Sequence, residues 1–149
     1  MTKNAIRLTL EKIPRRKDIR FLYESLGRYN IAQTGKDDWK PFGFFFRDRK
    51  KKIVGGLYAE SWYGWLEIKL LWLREDLQGK GFGKKLMQMA EKEGVKRGCK
   101  YVRLDTFSFQ APEFYKKLGY KVFGALKDYP GEHKRYFLKK RLTRPNPSE

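Results

Sequence analysis

Residues 70–86 read Leu70-Leu71-Trp72-Leu73-Arg74-Glu75-Asp76-Leu77-Gln78-Gly79-Lys80-Gly81-Phe82-Gly83-Lys84-Lys85-Leu86. The segment begins as an apolar run typical of a strand end and continues into three glycines separated by single residues. Glycine has no Cβ, so the backbone amides of such a loop can turn inward. The helix predicted to follow adds unpaired N–H groups and the positive end of its dipole. The stretch therefore predicts a strand, loop and helix that bind a pyrophosphate-like anion.

The glycine spacing differs from that of two common phosphate-binding loops. The dinucleotide fingerprint requires another spacing within a parallel βαβ unit, and the nucleotide P-loop requires Gly-Lys followed by Ser or Thr. Neither pattern occurs here. A tight turn with exposed lysines remains an alternative, although three glycines exceed what a turn requires.

Periodicity outward from this loop predicts a mixed α+β chain. Strands are expected at residues 6–10, 42–47, 53–61, 63–73, 99–105, 120–126 and 135–142. Helices are expected at residues 14–29, with Gly27 near the end, from residue 82 to about residues 94–98, and at residues 111–118. Residues 30–40 are polar and aperiodic, which predicts a loop.

Composition favours one soluble domain at residues 1–142, with a frayed tail at 143–149. Of the 149 residues 40% are hydrophobic, which argues against disorder. Charges interrupt every apolar run before the roughly 20 residues that a membrane helix needs. The start lacks a secretory signal, and one cysteine, Cys99, cannot form an internal disulfide or by itself a zinc site. We expect a cytoplasmic protein without a metal and without a membrane partner.

The net charge of +18 is unusual. It is compatible with an anionic cofactor, with an acidic or nucleic-acid partner, or with lysine bias alone. Nucleic acid is not expected as the main partner, because a basic surface is only the first of several features that such binding requires.

Two motifs resemble the signatures of the GNAT superfamily of acyl-CoA N-acyltransferases. The first is Gln78-x-x-Gly81-x-Gly83 after an apolar strand. The second is the block Phe107-Ser108-Phe109-Gln110-Ala111-Pro112-Glu113-Phe114-Tyr115-Lys116-Lys117-Leu118-Gly119-Tyr120, with an Ala, a Tyr and a Leu-Gly-Tyr at the family's spacing. The order of elements between and around the motifs also agrees with the family.

The resemblance implies an α+β (α/β/α) fold with a single mixed, mostly antiparallel sheet. That sheet would have about seven strands, a V-shaped splay between the fourth and fifth, and about four flanking helices. Acetyl-CoA would place its pyrophosphate on the glycine loop and its pantetheine arm in the splay. The implied cofactor-binding residues are Leu71, Trp72, Leu73, Gln78, Gly79, Lys80, Gly81, Phe82, Gly83, Lys84, Ser108 and Tyr115.

The resemblance also implies catalytic roles. Tyr115 matches the tyrosine that protonates the coenzyme A thiolate. Glu67 matches a strand glutamate that serves as base in histone-acetylating members, although it could equally be an exposed glutamate paired with a lysine. His133, the only histidine, is the alternative base. Ser108 stands where the family usually has a cofactor-holding Asn, so Ser108 or Gln110 would substitute for it.

The predicted function is transfer of an acetyl group from acetyl-CoA to a primary amine by direct attack in a ternary complex. The alternatives are a non-catalytic acyl-CoA-binding or regulatory module and a basic RNA- or ribosome-associated protein. Positive charge discourages a polycationic acceptor. It favours a less basic small-molecule amine, a peptide N-terminus or a lysine in an acidic setting. A homodimer is possible.

Overall fold

The computed structural model describes residues 5–142, in two compact units that meet at Asp37 and Asp38. The first unit contains an irregular segment, residues 5–15, and helix α1, Arg16–Thr34. The predicted loop was wrong for residues 30–34, which continue the helix. Gly27 does not end α1, because the residues after it still form helix, and a mid-helix glycine costs only about 1 kcal/mol. The end comes at Gly35, whose φ of 69° is left-handed and whose N–H donates to the Ile31 carbonyl at 2.8 Å.

The strand predicted at residues 6–10 was wrong. These residues have no regular secondary structure, and Ile6, Leu8 and Leu10 are exposed. Alternation of apolar and polar residues cannot form a strand without a partner to share its backbone hydrogen bonds. The described residues therefore hold six strands rather than seven and three α-helices rather than four. The predicted tail at 143–149 lies outside the described residues.

The second unit holds one six-stranded sheet. Its spatial order is β1-β2-β3-β4-β6-β5, and every neighbouring pair is antiparallel except β3 and β4. The strands are β1 (Lys40–Arg47), β2 (Ile53–Trp62), β3 (Trp65–Leu73), β4 (Tyr101–Phe107), β5 (Lys121–Asp128) and β6 (Gly131–Arg141).

The parallel strands β3 and β4 pair over only three positions. Trp65 lies beside Tyr101, Leu66 beside Val102 and Glu67 beside Arg103, after which the pairing ends. On the other side of β3 the register with β2 shifts, because Tyr58 faces Leu70 and Ala59 faces Ile68. Lys69 is the extra residue of this β-bulge, and bulges bend the strand that carries them. The two strands thus separate from Ile68 and Leu104 onward and leave a gap in the sheet.

A 3₁₀ turn (Glu75–Leu77) and helix α2 (Phe82–Lys96) follow β3, and helix α3 (Pro112–Lys117) follows β4. Helix α2 buries Leu86, Met87, Ala90 and Gly94 at helical spacing. A Cβ on Gly94 would come within 2.9 Å of the Leu66 side chain, so this glycine permits close packing of α2 on β3. The apolar core is formed by Leu57, Leu66, Leu86, Met87, Val102 and Leu138. Packing against this core fixes the start of α2 at the end of β3.

Candidate active site

A cavity in the second unit occupies the gap between β3 and β4. It measures about 700 Å³. Its walls are the diverging halves of the two strands, the glycine loop and the first part of the second motif. The lining residues of the loop and of β3 are Ile68, Lys69, Leu70, Leu71, Trp72, Leu73, Gln78, Gly79, Gly81, Gly83 and Lys84. The lining residues from β4 to α3 are Leu104, Asp105, Thr106, Phe109, Gln110, Ala111, Phe114 and Tyr115.

The glycine loop opens one end of this cavity. Gly79 and Gly81 have φ values of 71° and 85°, which side-chain-bearing residues rarely adopt. Among residues 5–142, no atom outside the immediate chain neighbours lies within 4 Å of the place where a Cβ would stand on either residue. The Gln78 side-chain amide donates to the Leu73 carbonyl at 3.0 Å and so ties the loop to the end of β3. The loop shape thus depends on glycine for backbone conformation, and the space above it is open.

Helix α2 begins within this loop. Its first backbone bond runs from Lys85 N–H to the Gly81 carbonyl at 3.1 Å. The N–H groups of Phe82, Gly83 and Lys84 therefore have no partner inside the helix. Lys84 lines the cavity, whereas the Phe82 ring turns away and packs edge-on against Phe46 at 5.1 Å. Open amides, the helix dipole and a lysine make this end a fitting site for a phosphate group.

The open edge of β3 forms one wall. Residues Leu71, Trp72 and Leu73 pair with β2 on one side. On the other side no strand of the described residues pairs with them, because the pairing with β4 has ended. Outward-facing backbone groups on that side are free to bond an extended ligand, as a missing strand would. The wall therefore suits a chain that carries amide groups.

Tyr115 lines the cavity from α3. Its side chain is 8% exposed and packs edge-on against the rings of Phe114 and Tyr120. Burial, with a smaller contribution from the charge of Asp105, raises the pKa of Tyr115 to about 12. Among residues 5–142, no fully buried side-chain oxygen is without a hydrogen-bond partner. The Tyr115 hydroxyl has no partner within this range, so it is not fully buried and faces the cavity that Tyr115 lines. It is a protonated donor at neutral pH.

Glu67 lies just before the gap. Its side chain is 19% exposed and does not line the cavity. One carboxylate oxygen accepts from the Arg103 guanidinium, and the other lies 3.5 Å from the Lys69 ammonium. The lysine pairing expected for a non-catalytic glutamate is thus present at Lys69, and Arg103 is a second, unpredicted partner.

His133 and Ser108 lie together at the junction of β4 and the β5–β6 turn. The Ser108 hydroxyl accepts from the Lys134 N–H at 3.0 Å and lies 3.5 Å from His133 Nδ1. The His133 side chain is exposed and meets the Phe109 ring edge-on at 4.9 Å. Ser108 therefore joins β4 to β6, and neither residue lines the cavity.

Several residues that line the cavity were not predicted as site residues from the sequence. They include Lys69, Asp105, Thr106, Phe109 and Phe114. A signal existed for Asp105, since alternation along β4 buries Val102, Leu104 and Thr106 and turns Asp105 to the other face. Gln110, one of the two residues expected to replace the family's Asn, also lines the cavity. Its side-chain oxygen accepts from the Phe107 N–H at 2.8 Å and from the Thr106 hydroxyl at 3.2 Å.

Within residues 5–142, no group of three or more histidine, cysteine or acidic side chains could hold a metal ion. No helix in the same range is long and apolar enough to cross a membrane.

Comparison with known proteins agrees with this geometry. Residues 11–120 match the acetyltransferase (GNAT) family. An acetyltransferase of Agrobacterium fabrum is 34% identical over 103 residues, which are 69% of this chain and 75% of that protein. Blasticidin-S acetyltransferase of Streptomyces morookaense is 34% identical over 92 residues, 61% of this chain and 68% of that protein.

Solved structures give the same assignment. The crystal structure of an acetyltransferase from Bacillus cereus superposes with a TM-score of 0.77 at 31% identity, covering 90% of this chain and 98% of that one. An aminoglycoside 6'-N-acetyltransferase crystallised with coenzyme A shares the fold, with a TM-score of 0.60 at 20% identity over 87% of this chain and 88% of that one. Enzymes of this family use acetyl-CoA or coenzyme A. The chain belongs to the GNAT family of acetyltransferases.

Proposed function

We propose that the protein transfers the acetyl group of acetyl-CoA to a primary amine by direct attack within a ternary complex. One observation carries the proposal: a single cavity runs from the open amides of the glycine loop, along the free edge of β3, to Tyr115. Its two ends fit the two ends of one ligand, a diphosphate and a thioester.

The cofactor would bind by backbone contacts at both ends. Its diphosphate would accept from the amides between Gly79 and Lys84, with Lys80 and Lys84 adding positive charge. Its pantetheine amides would pair with Leu71, Trp72 and Leu73 along the open edge. Gln78 would hold the loop in place through its bond to the Leu73 carbonyl. Phe82 would contribute its N–H, since its ring packs against Phe46.

A backbone N–H of Leu71 or Trp72 would polarise the thioester carbonyl. Donors aimed at a developing oxyanion lower the barrier because they need no reorganisation during the reaction. The amine nitrogen attacks the carbonyl carbon and forms the C–N bond. The C–S bond then breaks, and its electron pair stays on sulfur.

Tyr115 would donate its hydroxyl proton to the departing sulfur. A pKa of about 12 keeps this proton in place until a thiolate forms. A thiol has a pKa near 8.5, so complete transfer from Tyr115 is uphill by roughly 5 kcal/mol. The positive nitrogen of the tetrahedral intermediate offsets this cost, because it returns a proton to the tyrosinate through water. The products are then a neutral amide, a thiol and Tyr115 in its starting form.

The acceptor arrives as an ammonium ion, since a lysine-like amine has a pKa near 10.4. We propose Glu67 as the group that takes this first proton, through water at the mouth of the splay, because Ile68, its neighbour, already lines the cavity. His133 is the second candidate, because it stands beside the cavity residue Phe109.

Ser108 bonds the backbone of Lys134, so its hydroxyl is already engaged. We therefore assign the cofactor contact of the family's missing Asn to Gln110, which lines the cavity with its side-chain nitrogen still available as a donor. Ser108 would act indirectly, by holding the end of β4 against β6.

Thiol release from acetyl-CoA in the presence of a panel of primary amines tests this function. We expect release that depends on both the enzyme and the amine and that saturates in both substrates. The panel should contain small-molecule amines, a peptide with a free N-terminus and a lysine peptide with acidic neighbours. Release that does not increase with any amine would contradict the proposal. Blasticidin S belongs in the panel because a 34% identical relative is named for its acetylation.

A further inference from the structure

Asp105 is the only carboxylate among the described residues that line the cavity. It lies on the part of β4 that has separated from β3, two residues beyond the last paired position, Arg103. Its side chain is 32% exposed. The neighbouring cavity cations are Lys69 on β3 and Lys84 on α2. A single carboxylate among lysines attracts one cationic group of a ligand to a defined point of the cavity.

Arg135 fixes the orientation of this carboxylate from β6. Its Nε donates to Oδ1 at 2.9 Å, and its Nη2 lies 2.7 Å from the same oxygen. Its Nη1 donates to the Tyr129 hydroxyl at 3.1 Å, so the guanidinium is held from both sides. No polar group of residues 5–142 bonds Oδ2. Asp105 is thus held in position with one oxygen free to accept.

The other carboxylate near the gap differs in this respect. Both oxygens of Glu67 already face cations, Arg103 on one and Lys69 on the other. A third cation at Glu67 would have to displace one of these partners, whereas a cation at Asp105 Oδ2 displaces none. Electrostatics therefore favour docking of a substrate ammonium at Asp105 over Glu67.

An aromatic stack stands beside Asp105. The Phe107 ring stacks on Phe109 at 5.1 Å with an angle of 12°, and on Tyr129 at 5.3 Å with an angle of 28°. The Arg135 guanidinium lies 5.5 Å from the Phe107 ring centre. Phe109 is 56% exposed and lines the cavity, so a flat apolar surface lies in the same cavity as the free carboxylate oxygen.

We propose that Asp105 Oδ2 binds the ammonium group of the arriving acceptor, before this group loses its proton, while Phe109 receives its apolar or aromatic body. The substrate class is then a primary amine with one positive charge next to a flat or apolar group. A second cation on the acceptor would meet Arg135, Lys69 and Lys84 and would be repelled. This inference rests on the proposed function, because it assigns the acceptor half of the same cavity.

Binding of two matched probes tests the inference. Calorimetry or ligand-observed NMR would compare 2-phenylethylamine, which is cationic, with 2-phenylethanol, which is neutral and similar in shape. The titrations use the free protein and the protein saturated with coenzyme A. Charge-assisted hydrogen bonds contribute about 1.5–3 kcal/mol, so wild type should bind the amine about tenfold to a hundredfold more tightly than the alcohol. No preference for the amine in wild type would overturn the inference.

Asp105→Asn should remove this preference, because the amide keeps the bond from Arg135 but carries no charge. Glu113→Gln is the control: it also removes one carboxylate, but Glu113 is exposed on α3, pairs with Lys116 and does not line the cavity. An unchanged amine preference in Asp105→Asn would overturn the inference too. Coenzyme A affinity, measured in the same samples, should be equal in all three proteins. Loss of the amine preference with normal coenzyme A binding supports Asp105, whereas absence of coenzyme A binding in wild type would refute the proposed function instead.

Discussion

Replacement of Gly81 by alanine gives the sharpest separation of folding from cofactor binding. Gly81 has a φ of 85° and caps the start of α2, and no atom stands where the new Cβ would lie. The cost in folding is therefore that of a left-handed alanine, about 1–2 kcal/mol. If the backbone relaxes instead, the amides around Gly81 turn away from the phosphate site.

Gly98 offers a matched control. Its φ is also 85°, and the position of its absent Cβ is equally open, but it ends α2 far along the chain from the loop and does not line the cavity. Gly98→Ala should thus lose a similar amount of unfolding free energy. Only Gly81→Ala should also lose affinity for coenzyme A, by about tenfold to a hundredfold if one charge-assisted amide bond is lost.

The assay pairs urea unfolding with calorimetric titration of coenzyme A. We expect equal losses of stability in the two variants and a raised Kd in Gly81→Ala alone. Equal Kd values in wild type, Gly81→Ala and Gly98→Ala would refute the placement of the diphosphate on this loop. A raised Kd in both variants would show that the effect comes from general destabilisation.

Three further predictions concern the reacting groups. Tyr115→Phe should lower kcat at least tenfold and leave the Kd of coenzyme A nearly unchanged, because it removes a donor used only as the thiolate forms; unchanged kcat would exclude the donor role. Glu67→Gln should change the pH dependence of kcat/KM for the amine, whereas His133→Asn should leave it unaltered; the reverse result would transfer the base role to His133. The third prediction uses the raised pKa of Tyr115, about 12 against a usual 10.0. Its contribution to stability is complete below pH 10 and is lost as pH rises through 12, by roughly 2–3 kcal/mol. Urea unfolding at pH 9 to 11 should show a shallower loss in Tyr115→Phe than in wild type, and equal slopes would contradict the burial argument.

The shape of the glycine loop could be predicted from the sequence because backbone conformation governs it. Gly79 and Gly81 stand at positions with positive φ, which glycine adopts readily. The requirement can therefore be read directly from the residue type. The second motif likewise placed Tyr115 correctly on a short helix after β4. These features depend on residues near one another in the chain.

The splay and its bulge depend instead on contacts across the sheet. The spacing of apolar residues along β3 shifts from Leu66 and Ile68 to Leu71 and Leu73, which is the signature of an extra residue at Lys69. Simple alternation does not reveal which neighbour the strand then leaves. The first predicted strand was wrong for a related reason, since the alternation at residues 6–10 says nothing about whether a partner strand is available.

The acceptor half was the least predictable. Asp105 and Arg135 are 30 residues apart and meet only because β4 pairs with β6, where Asp105 faces Phe137. Ser108 was expected to bind the cofactor by analogy, and its bond to the Lys134 backbone comes from the same strand pairing. Long-range register of this kind is not readable from one sequence, so the Asp105–Arg135 pair that we propose for acceptor binding became visible only in the folded structure.

A crystal structure of the protein with acetyl-CoA would test the central claim most directly. We expect the diphosphate on the amides from Gly79 to Lys84, the pantetheine arm along Leu71 to Leu73, and the sulfur in hydrogen-bond contact with the Tyr115 hydroxyl. A diphosphate bound away from the glycine loop, or a sulfur out of reach of Tyr115, would contradict it.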